Sequence, residues 1–298
     1  MDKAIKFKKL IFAFVAILIF LTANATPVVV NVNKGVMKPV DIAINLYVDS
    51  DTYIEEEFTK VVNNDLKSTF LFRPIPKSAF MQVLRGIGQR PNFPLWALIK
   101  SQYLANVEIK IEGNLMRVSM VLYDVVSQSA VGTMSASGDR RDWRKLAHIA
   151  ANSIYERVTG EVGYFDTKIL YVSTRQLGRG RKIYRLAMMD QDGYDHKFLT
   201  DGSTIVLTPR FSPTGKEFSF FSYRERIVNG RRVPLSASVY RYDMLSKRTE
   251  LIAHFKGMTY APRYSPSGNL LIFSLSDRGS SSIYTFDIIT KKLTRLTK

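Results

Sequence analysis

The phrase "PRFSPTG" (residues 209–215) returns 53 positions later as "PRYSPSG" (residues 262–268). Its second half has a local mechanism. In a type I turn, Ser at the first position bonds the backbone, Pro at the second has its φ already set, and Gly is favoured at the fourth; "SPTG" and "SPSG" match position by position. Around each copy the same succession of short β-rich runs recurs: "TPRFS", "EFSFFSY", "SVYRYDM" and "TELIA", then "APRYS", "LLIFSLS", "IYTFDII" and "KLTRLT". A preceding set, "KILYVSTR", "KIYRLAMMD" and "HKFLT", has no Ser-Pro-x-Gly strand of its own. Four short strands per unit of roughly 40–50 residues is the pattern of a β-propeller blade, a sheet that needs neighbouring blades to cover its faces. The phrase therefore punctuates blades, joining the first strand of each to the second.

Residues 164–298 thus read as about three blades of an all-β, WD40-like propeller. Closed propellers typically have at least about four, so the ring is expected to be incomplete. Two raw sheet edges are a liability that proteins manage explicitly. Three outcomes fit: a second chain completing the propeller, closure by dimerisation, or an open fragment.

The preceding stretch has a different texture. Lys3, Lys6, Lys8 and Lys9, the apolar run Leu10 to Leu21 and the small residues "ANA" (23–25) form a secretory signal, with cleavage expected between Ala25 and Thr26. The apolar run is too short to span a bilayer as a helix, so no direct membrane span is expected after cleavage. Residues 26–163 mix strand-like alternation ("PVDIAINLYV", 39–48) with helical spacing of Phe58, Val61, Val62 and Leu66, then of Trp143, Leu146, Ile149, Ala150 and Ile154, ending at Gly160. An antiparallel hairpin is expected with its turn near 124–129. Without regular strand–helix crossovers, a small α+β domain fits best.

The chain has no cysteine, which removes disulfides, thiolate catalysis and thiolate metal sites. Its net charge of +17 falls to +14 without the first 25 residues, which carry four Lys and one Asp. That balance favours anionic neighbours. The basic residues are dispersed, however, and in the densest tract, 174–185, Arg179, Gly180, Arg181 and Lys182 read as a solvated hairpin loop, so no nucleic-acid partner is expected. No G-x-S-x-G elbow or H-E-x-x-H spacing occurs, and "GIGQRP" (86–91) fails as a dinucleotide motif. His148 reads as a capped or core-edge residue, and His196 and His254 fall in blade strands. "MDQDG" (189–193) reads as an Asp-Gly hairpin turn, with calcium at Asp190 and Asp192 as the alternative. "YRERIVNGRRVP" (223–234) reads as a solvated loop. No catalytic residue, cofactor or metal is expected.

What remains is binding surface. The first strand of each blade lines the channel of a propeller, which places Thr208, Pro209 and Arg210 in one blade and Tyr260, Ala261, Pro262 and Arg263 in the next at one mouth. Arg and Tyr there suit a protein partner; packing along strand edges is the alternative.

These features together resemble the TolB family of the Tol-Pal system across nearly the whole mature sequence. The resemblance rests on "NKGVMKPVDIAI" (33–44), "DLKSTFLFRPI" (65–75), Trp96 with "VEIKIEG" and "LYDVVSQ", and above all "RKLAHIAANSIYERVTGEVGYFDTKILYVSTR" (144–175). Departures are Thr69 for Gly, Asn152 for Asp, and Thr214 and Ser267 for Asp in the two turns. The resemblance implies an N-terminal module similar to anticodon-binding domains and a TolB-type propeller, with six blades in the family, that docks the lipoprotein Pal. It also implies that the mature N-terminus binds TolA; here Pro27, Val28, Val30, Val32 and Lys34 alternate in a way suited to strand addition, an ordinary edge strand being the alternative. The expected function is a non-enzymatic periplasmic scaffold supporting outer-membrane integrity and constriction at division. The alternatives are an exported propeller-containing hydrolase or accessory domain, or a non-functional fragment.

Overall fold

The computed structural model describes residues 38–49, 51–178, 182–228, 231–255, 258–277 and 280–297. The signal segment, its cleavage point at Ala25 and Thr26, and the alternating residues 27–34 lie outside them. The chain divides into two compact units, Met1–Lys38 and Pro39–Lys298, and all that follows concerns the second.

That unit begins with a five-stranded sheet in the order β2-β1-β3-β4-β5, built from β1 (Val40–Val48), β2 (Phe72–Pro74), β3 (Tyr103–Glu112), β4 (Leu115–Asp124) and β5 (Ser129–Asp139). Helix α1 (Thr52–Ser68) carries the chain from β1 to β2, which lie parallel, so one strand–helix crossover exists that the sequence texture did not show. The hairpin β4–β5 is antiparallel and turns where expected, with Asp124 accepting from the backbone of Val126 and Ser127.

Strand alternation decides what each face of this sheet meets. Ile42, Ile44, Leu46 and Val48 point to one side, against the apolar stripe of α1 (Ile54, Phe58, Val61, Val62, Leu66) and that of α3 (Trp143–Thr159: Leu146, Ala147, Ala150, Ala151, Ile154). Ala43 points to the other side, where Leu84, Trp96 on the short helix α2 (Phe93–Leu98), Leu104 and Val125 gather. Asn45 also points there. It donates to Asn106 Oδ1 at 2.9 Å and to Leu84 O at 3.0 Å, and Asn106 donates to Gly86 O at 2.9 Å. These two buried amides tie the 84–86 backbone to the middle of the sheet and are fully paired, as burial of polar groups demands.

Helix α1 starts on Asp51, whose carboxylate accepts from Ile54 N at 3.0 Å. Helix α3 stops at Gly160, whose φ of +79° is the left-handed terminator that a side chain resists. The chain then doubles back. Asn152 on α3 accepts from Phe165 N at 2.8 Å and donates to Asp166 Oδ1 at 2.7 Å. An ionised aspartate could accept but not donate, which gives the Asn at this position a physical reason. A Cβ on Gly163 would stand 2.6 Å from the Asn152 Cα, so this return requires glycine. Phe165 is buried in the same core as the two helices.

Three sheets follow. The first has three strands, β6 (Lys168–Gln176), β7 (Lys182–Asp190) and β8 (Lys197–Phe198). The second has four, β9 (Ile205–Phe211), β10 (Glu217–Val228), β11 (Arg231–Asp243) and β12 (Thr249–Phe255). The third has four, β13 (Met258–Tyr264), β14 (Leu270–Asp277), β15 (Ser280–Asp287) and β16 (Leu293–Arg295). Each is an antiparallel meander, as expected of propeller blades, and the first lacks the extra strand, as its sequence implied. The stretch 223–234 is not a loop in its described residues: β10 and β11 pair through it to Val228↔Arg231, with a register shift at Arg224/Glu225. His196 stands just before β8, edge-on to Phe198 at 4.9 Å, rather than within a strand. Among the described residues no helix is long and apolar enough to cross a membrane.

Candidate functional site

The two copies of the opening phrase fold alike. Gly215 N donates to Ser212 O at 3.0 Å and Gly268 N to Ser265 O at 2.9 Å, closing both turns. The glycine φ values are +68° and +79°, a region where a Cβ is unfavourable. The Thr and Ser that replace the usual Asp stay within the turn: Thr214 lies 3.2 Å from the Ser212 hydroxyl, and Ser267 lies 3.0 Å from that of Ser265.

The "PR" half is a β-bulge. In the second blade Ser219 pairs with Arg210 and Phe221 with Leu207, leaving Thr208 and Pro209 together opposite Phe220. In the third, Ile272 pairs with Arg263 and Ser274 with Tyr260, leaving Ala261 and Pro262 opposite Phe273. A bulge is a place in a ladder where proline is tolerated, since the extra residue owes no ladder hydrogen bond. Thr208 takes φ +47° to make the step, an outlier for a β-branched residue. Strands β9 and β13 are the terminal strands of their sheets and pack beside each other, so the bulges share one rim.

The predicted rim residues separate into two groups. Pro209 and Pro262 are buried and shape the backbone. Arg263 is exposed. Arg210 is half-buried, donates from one Nη to Pro209 O at 2.9 Å, and leaves its Nε buried with no protein acceptor among the described residues. Tyr260 and Ala261 contribute backbone to β13 beside them. The rim thus offers guanidinium donors, a group suited to carboxylates and carbonyls.

A second polar cluster lies where α3 meets the first blade. Asp65 is buried within the apolar stripe of α1, and its Oδ2 lies 2.6 Å from His148 Nδ1 on α3. Gln191, in the β7–β8 connection, donates to the other Asp65 oxygen at 3.0 Å. Burial pushes the Asp65 carboxyl up, and the hydrogen bond and charge of His148 oppose this. Arg144 pairs with Asp192 in the same connection and lies 3.9 Å over the Tyr194 ring. The turn 190–193 is the expected Asp-Gly turn, with Gly193 at φ +88°. Sequence reasoning placed His148 at a core edge but missed its partner. The available signal was the pattern itself, a carboxylate inside the stripe Val61–Val62–Leu66 and a histidine beside Ala147.

Comparison with known proteins adds the following. The model of the TolB amino-terminal domain matches residues 28–131, and that of the TolB β-propeller domain matches residues 155–298. The Tol-Pal system protein TolB of Rickettsia africae (strain ESF-5) is 36% identical over 273 residues, covering 90% of this chain and 59% of that protein. The same protein of Rickettsia conorii (strain ATCC VR-613 / Malish 7) gives the same values. This chain therefore spans about six-tenths of the length of the curated relatives it matches. The crystal structure of TolB from Acinetobacter baumannii superposes with a TM-score of 0.74 at 24% identity, covering 88% of this chain and 61% of that one, and so shares the fold.

Proposed function

This chain belongs to the TolB family, and on that premise we propose that it is a non-enzymatic periplasmic scaffold of the Tol-Pal system. It grips the lipoprotein Pal at the rim formed by residues 208–210 and 260–263, and TolA through its mature N-terminus, where Pro27, Val28, Val30, Val32 and Lys34 add as a strand. Joining an outer-membrane lipoprotein to an inner-membrane protein supports envelope integrity and constriction during division. The observation that carries this reading is the repeated bulge, which sets Arg210 and Arg263 at equivalent positions on adjoining edge strands. A scaffold uses such a rim without chemistry, because guanidinium donors hold a partner's acceptors by hydrogen bonds alone.

Pal pull-down with the mature chain tests the proposal. Arg210→Glu and Arg263→Glu are each expected to weaken capture roughly tenfold or more, the scale of a charged interface anchor, with TolA capture unchanged. Undiminished Pal capture by both variants, at unchanged thermal stability, would remove the rim from the interface.

A further inference from the structure

Between α3 and the β7–β8 connection, His148, Asp190 and Asp192 each turn one ligand atom toward the others, and these atoms lie within 4.8 Å of one another. A carboxylate cluster on a turn is common and says little. The histidine says more. Its side chain is 3% exposed, and its Nε2 is buried with no hydrogen-bond partner among the described residues. That nitrogen faces Asp192 Oδ2 at 4.0 Å, too far for a hydrogen bond. Its other nitrogen is committed: Nδ1 meets Asp65, whose second oxygen accepts from Gln191. A carboxylate accepting on both oxygens requires the histidine to donate from Nδ1, and in the neutral imidazole that a metal ion would select this leaves the Nε2 lone pair as the ligand. A carboxylate that fixes the tautomer and orientation of an imidazole, with the second nitrogen free, is the arrangement found behind metal-bound histidines.

Space and charge fit as well. A cavity of about 180 Å³ opens beside the cluster, lined by His148, Asp190, Asp166, Lys145, Lys168 and Phe165 among others. It is large enough for a cation and several waters, at about 30 Å³ for each water. Two side-chain cations now occupy the carboxylates, Arg144 on Asp192 and Lys168 on Asp190. Both are carried on flexible stems, and Arg144 has a second contact over the Tyr194 ring besides the carboxylate.

The geometry points to a binding site for a divalent transition cation of the zinc type, held by His148 Nε2, Asp190 and Asp192 with Asp65 as the orienting group. One imidazole and two carboxylates make a three-ligand set that suits Zn²⁺, with solvent completing the shell. Bonds of about 2.0–2.2 Å require the three atoms to draw inward from their present spacing, which rotation of the two aspartates on their turn supplies. A bound ion would clamp α3 to the first blade at a point now joined by exchangeable salt bridges.

Metal uptake by the mature chain, stripped with a chelator, tests this. Co²⁺ is expected to bind at one per chain with visible ligand-field absorption, to be displaced by Zn²⁺, and to raise the melting temperature. His148→Gln and Asp192→Asn should abolish the absorption. Asp65→Asn should weaken uptake by about 10–100-fold, the usual effect of losing an orienting partner. Arg144→Gln should tighten it. Asp192 and Asp190 lie on a turn, so Asp192→Asn and Asp190→Asn read the site even where a change at His148 disturbs folding, and metal-free melts of each variant confirm this. Absence of uptake by the wild-type chain, or uptake that survives both His148→Gln and Asp192→Asn, would overturn the site and leave His148 as a structural ion-pair residue.

Discussion

Phe220 in the second blade and Phe273 in the third occupy the same step of the repeat, each opposite a proline-bearing bulge and each paired across its strand with a tyrosine, Tyr240 and Tyr284. Their surroundings differ. Phe220 stacks on Tyr240 at 5.5 Å and joins Leu186, Val206 and Phe218 against the first blade. Phe273 meets Phe255 at 4.9 Å and Phe221 at 6.2 Å against the second. The phrase fixes backbone geometry, while the neighbouring blade decides what each side chain touches. The second blade is covered on both faces, since Phe218 and Phe220 point one way and Phe221 and Tyr223 the other. The third buries Leu271, Phe273 and Leu275 on one face, while Leu270 and Ile272 on the other are partly exposed.

If the repeat is energetically as well as geometrically equivalent, truncating either phenylalanine should cost the same. Phe220→Ala and Phe273→Ala are each expected to lower unfolding free energy by about 3–5 kcal/mol, the scale for emptying a buried aromatic site, measured by urea denaturation. A loss below about 1 kcal/mol at one position alone would show that one blade–blade contact is not holding the structure.

The comparison sharpens one residue after the bulge arginines. Phe211 in the second blade becomes Tyr264 in the third, an added hydroxyl in a site built for an apolar ring. The hydroxyl is buried, and burial pushes its ionisation up to about 12 against the opposing influence of the Ser219 hydroxyl. The sign follows from linkage. The folded state favours the neutral phenol, so its contribution is complete below the ordinary tyrosine range near 10 and is lost as pH rises toward 12. Discounted for partial exposure, the loss is about 1–2 kcal/mol. Tyr264→Phe should remove that part of the alkaline decline in urea midpoint between pH 8 and 11.5, and should leave stability at pH 7 unchanged or slightly higher. An unaltered alkaline slope would place the hydroxyl in water.

Much of this was legible in the sequence because turns, strand alternation and helix stops are local. Ser212 to Gly215 specify their turn without help, and Gly160 ends its helix wherever that helix packs. The N-terminal helices showed through the spacing of their buried stripes. What could not be read depends on approach in space. Asp65 and Gln191 are 126 positions apart, and nothing near either announces the other. The burial of Pro209 and Pro262 follows from a bulge that forms only when β9 and β13 find their partner strands. The hairpin through 223–234 was hidden by its charged residues, which suit a loop and a solvated ladder equally well. The arginine rim was visible as a pair of residues, but that Arg210 is half-buried while Arg263 is exposed depends on the blade each one faces.

The smallest expected effect tests the uncovered face. Ile272 is 40% exposed, whereas its counterpart Ser219 in the second blade is fully buried between sheets. The polarity of the pair is therefore inverted relative to burial: the smaller, polar residue sits where space is scarce, because two blades close on it, and the larger apolar one sits where nothing in the described chain covers it. An exposed strand position contributes little through transfer from water, so Ile272→Thr, which keeps the β-branch and hence the strand preference, should change stability by no more than about 0.5 kcal/mol. Urea melts at two protein concentrations separate the outcomes. A loss of about 2 kcal/mol or more would mean that Ile272 is buried in solution, and dependence of that loss on concentration would identify the cover as a second copy of the chain rather than a rearranged segment of the same one.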